Sequence, residues 1–185
     1  MQVIEPTELD VEGYVREQWH LKVRPRECCV GCGKAAKQHR HGVYWRDVVS
    51  RAGRLVTIAV ARFLCTACGM TTSHLPKFAL TYRLLGASSL EAFVSGETGR
   101  SDVQRHWDLL GRYARRLTAF AADLIGRVGM GLGPAPPDPG HRSAPALVRW
   151  LKMACGDLDL AAGRLVEGYR VGILGRYRCH LGRRG

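Results

Sequence analysis

The chain has no apolar run near the ~18 residues that cross a bilayer. Its longest, Leu55 to Leu64, is already broken by Arg62. The opening Met-Gln-Val-Ile-Glu-Pro lacks the basic and apolar regions of a secretory leader, so a cytoplasmic location is expected. Catalytic signatures are missing too. There is no Gly-x-x-x-x-Gly-Lys phosphate loop, no Gly-x-Ser-x-Gly elbow and no His-Glu-x-x-His helix. The glycines of 129–133 run into prolines instead of a helix, which excludes a nucleotide cradle. Acidic residues are scarce, 16 against 28 basic ones, and lysine supplies only five of the latter. These absences lead to the expectation of a protein that is not an enzyme and has no catalytic residues.

A globular balance is present: 46% apolar and 24% charged among 185 residues, with a net charge of +12. The charge is uneven. Residues 1–19 carry a net of −4, residues 20–83 +10, residues 84–132 +1 and residues 133–185 +5. A block of +10 exceeds what solubility requires and points to a polyanionic partner, most plausibly nucleic acid. The acidic leader, 1–26, has no regulated role assigned; shielding of the basic surface and an edge strand are both open.

Seven cysteines make an odd number, and four of them form two Cys-x-x-Cys pairs, which favours a metal over disulfides. Cys29-Val-Gly-Cys32-Gly33 and Cys65-Thr-Ala-Cys68-Gly69 each place two sulfurs on one tight turn. The following glycine supplies the positive φ that returns the chain beneath the ion. Four thiolates suit one tetrahedral Zn2+ with no open coordination position, hence a structural one, held by Cys29, Cys32, Cys65 and Cys68. Cys28 is off the shared spacing and is left as a bystander. His39, His41 and His74 are expected at the surface, and Cys155 and Cys179 as ordinary thiols. Between the pairs, Val43–Val49 and Arg54–Phe63 are β-branched and aromatic with a turn at Ala52-Gly53, which predicts a hairpin.

His41-Gly-Val-Tyr-Trp-Arg46 and Arg62-Phe-Leu-Cys65-Thr-Ala-Cys68-Gly-Met-Thr-Thr-Ser-His-Leu-Pro76 resemble the N-terminal zinc ribbon of bacterial insertion-sequence transposases and related bacterial ribbon domains. The resemblance covers about residues 27–83. It implies a ribbon that, with a following helix-turn-helix, holds transposon-end DNA while a separate acidic domain cuts it. A nuclease core needs carboxylates presented to two metals by a strand-rich fold. Asp102, Asp108, Asp123, Asp157 and Glu167 fall in helix-like sequence instead, so a nuclease domain is not expected.

Behind the ribbon, in 84–130, Ser88-x-x-Glu91 and Ser101-x-x-Gln104 have capping-box spacing. They predict a short helix ending near Gly96, a turn, and a long second helix. From Val103 through Trp107, Leu110, Ala114, Leu117, Ala121 and Leu124 to Val128 the apolar steps alternate four and three, a helical seam. This is the outline of a helix-turn-helix, whose second helix would offer Arg100, Gln104, Arg105 and His106 to bases. The proline-rich 131–145 reads as a linker. In 146–185, Leu147, Leu151, Ala154, Leu158, Ala161 and Leu165 continue the same rhythm, followed by a basic tail. The simplest arrangement packs this seam on the first within one chain, with a homodimer the alternative.

The expected fold is therefore α+β: a small zinc-ribbon β domain, a helix-turn-helix and a C-terminal helical segment. The leading functional expectation is a DNA-binding protein in which Lys34, Lys37, Arg40, Arg46, Arg51, Arg54 and Arg62 meet phosphates. One alternative is an adaptor that docks a transposition or transcription protein. The other is a rubredoxin-like iron protein, whose sites share the cysteine spacing.

Overall fold

The computed structural model describes residues 1–80, 83–131, 137–140, 142–169 and 171–176. A four-stranded sheet carries the first part of the chain: β1 (Gln2–Glu5), β2 (Gln38–Val49), β3 (Leu55–Cys65) and β4 (Thr71–Pro76), in the order β1-β4-β3-β2. The predicted hairpin is β2 and β3, antiparallel, with Tyr44 opposite Val60 and Val48 opposite Val56. The register shifts by one residue between Arg40 and Val43, a bulge at His41-Gly42. The hairpin turn is closed by Ser50 and Arg54, the Ser50 N–H donating to the Arg54 carbonyl at 2.9 Å.

The acidic leader does not stand apart from this sheet. β1 pairs in parallel with β4, and the Met1 ammonium donates to the Thr71 carbonyl at 2.8 Å. Two short helices follow, α1 (Val11–Arg16) and α2 (Trp19–Lys22). Asp10 caps α1 by accepting the Gly13 N–H at 2.8 Å, leaving one fewer orphan donor in the first turn. α1 packs on the sheet through Tyr14, whose hydroxyl donates to the Ala59 carbonyl at 3.0 Å. Val11, Tyr14, Val48, Ile58, Val60, Leu75 and Ala79 make the core there.

Six helices form the second layer: α3 (Ala87–Val94), α4 (Ser101–Arg105), α5 (Trp107–Ala119), α6 (Ala121–Gly131), α7 (Ala144–Cys155) and α8 (Leu158–Tyr169). A small ribbon follows, β5 (Val171–Gly172) with β6 (Gly175–Arg176). The two predicted seams meet in one core, Leu110, Leu117 and Leu124 with Leu147, Leu151, Leu158 and Leu165. The C-terminal segment therefore packs on the first seam within the chain. Mixed α+β architecture is established.

Several local expectations need correction. The long second helix is three helices, interrupted at His106 (φ −123°) and Phe120 (φ −95°). The seam survives the breaks except at Trp107, 48% exposed and stacked edge-on against Phe93. Neither serine caps its helix: α3 starts after Gly86 and α4 after Arg100, with no side-chain cap at either. Glu91 pairs with Lys152 instead of closing a capping box, and the neighbouring Ser89 donates to Asp102. The C-terminal seam is likewise split, at Gly156 between α7 and α8. The linker positions 132–136 and 141, and the tail beyond 176 with Cys179, lie outside the described residues.

The layers are joined at several points. The Val49 N–H donates to the Leu84 carbonyl at 2.9 Å, Gly163 of α8 lies against Ile4 of β1, and Arg26 pairs with Glu167.

Candidate metal centre

Each knuckle is built the same way. Cys29 N–H donates to the Lys34 carbonyl and Gly33 N–H to the Cys29 carbonyl, at 3.0 and 2.7 Å. The equivalent bonds in the second knuckle, Cys65 to Met70 and Gly69 to Cys65, are 3.0 and 2.9 Å. The return of the chain requires a left-handed residue, and Gly33 (φ +70°) and Gly69 (φ +66°) supply it, as their spacing predicts. The first knuckle precedes β2 and the second ends β3, so the hairpin brings residues 36 positions apart in sequence to one end of the sheet. Thr66 clips the second knuckle to the segment leading into β2, its N–H and hydroxyl both donating to the Lys37 carbonyl. The Met70 side chain lies over Gly31, so close that a Cβ there would sit 2.5 Å from its sulfur.

The result is four sulfurs, from Cys29, Cys32, Cys65 and Cys68, all within 4.8 Å of one another. Cys29 Sγ and Cys68 Sγ are 3.8 Å apart. A tetrahedron with metal–sulfur bonds of about 2.3 Å has edges of about 3.8 Å, so the spacing admits such an ion. Among the described residues no second group of three or more His, Cys, Asp or Glu ligand atoms comes together.

Electrostatics give the same answer. Burial works to raise the Cys29 thiol, but the N–H groups of Cys32 and Gly31 and the neighbouring Cys65 and Cys68 outweigh it, bringing it down to about 7. At Cys68 the Met70 N–H lowers the thiol, while desolvation and the sulfurs of Cys32, Cys65 and Cys29 push it up to about 11. Four sulfurs this close cannot all ionise at once without mutual repulsion. A bound cation removes that conflict. The four residues fit a metal ion. Cys28 is exposed beside the group and is not one of its members.

No family model, curated protein or solved structure matches this chain.

The histidines divide. His39 and His41 are exposed, as expected. His74 is not: it is 1% exposed, because β4 is an interior strand covered on both sides. Its Nδ1 lies 3.0 Å from Glu5 of β1, and its ring meets Phe63 edge-on.

The basic residues expected to meet phosphate are also divided. Lys34 and Lys37 are exposed beside the knuckles. Arg51 and Arg54 are exposed at the hairpin tip, Arg54 paired with Glu12 at 3.1 Å. Arg62 is half-buried on β3. Two others have internal work. Arg40 donates to the carbonyls of His20, Leu21 and Val23 and lies over the Phe63 ring, closing the end of α2. Arg46 ties the sheet to the carbonyls of Leu80 and Arg83.

The helical candidates are engaged as well. Arg100 grips Asp102, Gln104 donates to the Thr98 carbonyl at 2.7 Å, and Arg105 reaches the Gly53 carbonyl at 3.4 Å. Gly53 and Arg105 thus bring the hairpin tip against α4. The buried carboxylate of Asp102 escaped the sequence reading, since Ser101-Asp-Val-Gln offered a simpler role for those positions.

Proposed function

We propose that the chain is a zinc-ribbon DNA-binding protein, related to the ribbons of bacterial insertion-sequence transposases and not itself a nuclease. The observation that carries this is the four-sulfur group at the root of a hairpin whose surrounding block, 20–83, has a net charge of +10. Zinc held by Cys29, Cys32, Cys65 and Cys68 supplies no catalysis; it joins the two knuckles and so fixes the hairpin. The core under the sheet lies away from the knuckles, and the ion would hold the end of the hairpin that this core does not reach.

DNA binding follows from the placement of the cations. The twelve residues of β2 span roughly 35–40 Å at about 3.3 Å per residue. That is close to one turn of duplex DNA, about 34–36 Å. Lys34 and Lys37 stand at one end and Arg51 and Arg54 at the other. A hairpin laid along the duplex would meet phosphates at both ends, positioning the protein without reading sequence.

Helices α3 and α4, with the turn 95–100, are the proposed helix-turn-helix. Because Arg100, Gln104 and Arg105 already hold intramolecular partners, they position the second helix more than they read bases. Four of the five acids weighed for a nuclease core stand in ion pairs, Asp102 with Arg100, Asp123 with Arg127, Asp157 with Lys77 and Glu167 with Arg26, and the fifth, Asp108, is exposed on a helix, which supports a reading without a nuclease. No helix among the described residues is long and apolar enough to cross a membrane.

The test is fluorescence anisotropy of a labelled random duplex against zinc-loaded protein over a salt series. Log affinity falling steeply with log salt is the expected result. No binding at low salt overturns the DNA reading and leaves the adaptor reading in its place.

A further inference from the structure

Block by block, residues 84–132 are nearly neutral, with a net of +1. In space those charges are unevenly placed. Three of the five acids are consumed in ion pairs: Asp102 with Arg100, Asp123 with Arg127, and Glu91 with Lys152 from α7. Glu97 and Asp108 remain, exposed, at the turn before α4 and in the first turn of α5. Arg112, Arg115 and Arg116 are all exposed on α5, and among the described residues none forms an ion pair.

At 100° per residue these three arginines fall within one 100° sector, opposite Leu110, Tyr113 and Leu117, which face the core. Arg112 and Arg116 are one turn apart, about 6 Å along the axis. Asp108 shares the sector one turn before Arg112, so the outer face of α5 keeps a net of +2 from these four residues.

We propose that this face of α5 is a second phosphate-contacting surface for the same duplex. The proposal rests on the DNA-binding reading and moves the helical contribution from the start of α4 to the middle of α5. The chemistry selects a polyanion backbone. Guanidinium groups meet phosphate oxygens in paired hydrogen bonds, and three of them on one sector match a row of charges better than a single anion. A lipid surface fits poorly, because a membrane-lying helix needs large apolar residues beside its cations. Of those on α5, Leu110, Tyr113 and Leu117 are buried, Leu109 is half-buried against the same core and Trp107 is 48% exposed against Phe93.

The test uses the zinc-loaded full chain and the same labelled duplex, comparing wild type with R112A/R115A/R116A and R112K/R115K/R116K. Alanine is the best helix former and all three sites are exposed, so the variants keep the fold, which far-UV circular dichroism and the melting temperature verify. Each phosphate contact contributes about 0.9 to the slope of log affinity against log salt, so the alanine triple should flatten that slope by about 2–3. The lysine triple, which keeps the charges, should hold it near the wild-type value. Wild type that binds together with an alanine triple of unchanged slope overturns the α5 surface and leaves the DNA reading intact. Wild type that binds no duplex overturns both.

Discussion

Arg100 turns its guanidinium onto the carboxylate of Asp102, two residues further along, with Nε 3.1 Å from Oδ1 and Nη2 2.7 Å from Oδ2. Asp102 is wholly buried, and Ser89 of α3 donates to it at 2.6 Å. Arg100 also reaches the Ser88 carbonyl at 3.2 Å. The pair therefore ties the start of α4 to α3 and sets the angle at which the second helix leaves the turn. Burial works to raise the Asp102 carboxyl, but the hydrogen bonds from Arg100 and Ser89 and the Arg100 charge outweigh it, so it is held below its ordinary range.

Removing one partner should be costly. Asp102→Ala leaves a half-buried guanidinium and a buried hydroxyl unpaired, and breaking a buried pair in this way costs about 3–5 kcal/mol. Urea unfolding of D102A should show that loss with an unchanged m-value. R100A should destabilise as well, while leaving the salt slope of duplex binding at its wild-type value. A flatter slope in R100A would show that Arg100 meets phosphate after all.

Metal removal should act on the hairpin before the helices. Zinc-loaded protein should contain one zinc per chain by elemental analysis and be colourless, with Cys28 open to a thiol reagent and Cys29, Cys32, Cys65 and Cys68 protected by the metal. Chelation should release those four and lower the melting temperature sharply, since structural zinc contributes on the order of 10 kcal/mol in small zinc domains. Cys65→Ser should reproduce the chelated state, whereas Cys28→Ser should not. A red preparation containing iron would favour the rubredoxin-like alternative.

The parts of the fold that were legible in the sequence are those set by short-range spacing. Two cysteines three positions apart followed by glycine admit few turns, and β-branched runs on either side of Ala52-Gly53 have one economical pairing. The seams were visible for a similar reason. Periodic burial survives a break in the helix at Phe120, where the axis is interrupted but Leu117, Ala121 and Leu124 stay in one core. What was hidden is non-local. β1 is four residues long and finds its parallel partner about 70 positions away, which no local pattern reports. Ser88 and Glu91 have capping-box spacing, yet the Glu91 carboxylate pairs with Lys152 and the Ser88 carbonyl accepts from Arg100. Net charge summed over a block concealed Arg112, Arg115 and Arg116, because a sum does not tell which face of a helix each charge occupies.

The approach of the hairpin tip to α4 can be tested with two glycines. Gly53 has φ +71°, and a Cβ there would lie 2.9 Å from the Ser101 carbonyl oxygen and 3.0 Å from Arg105 Cδ. Gly96 has a similar φ, +78°, with open space around it. Gly96→Ala should cost only the left-handed penalty, about 1–2 kcal/mol. Gly53→Ala should cost that plus about 1–3 kcal/mol for the backbone clash. Equal losses in the two variants would mean that the tip and α4 are not in contact.

Asp159 should give the protein a pH-dependent weakness. It lies on α8 at the wall of a cleft of about 260 Å³, with Arg51, Lys77 and Ser89 among the other residues around it, and its Oδ1 is buried without a hydrogen-bond partner. Burial first, and then the charge of Asp157, push its carboxyl up to about 6, against the opposing pull of Lys77 and Arg51. The folded form thus holds this proton more tightly than the unfolded chain, whose aspartates titrate near 3.9. The contribution to stability is full below about pH 4 and is lost as pH rises through about 6, at a cost of up to about 3 kcal/mol. Asp159→Asn removes the titration. The variant should therefore match wild type near pH 4 and exceed it at pH 7, read as the difference in their melting temperatures across that range. Parallel curves would mean that Asp159 is solvated in the folded protein and titrates as it does in the unfolded chain.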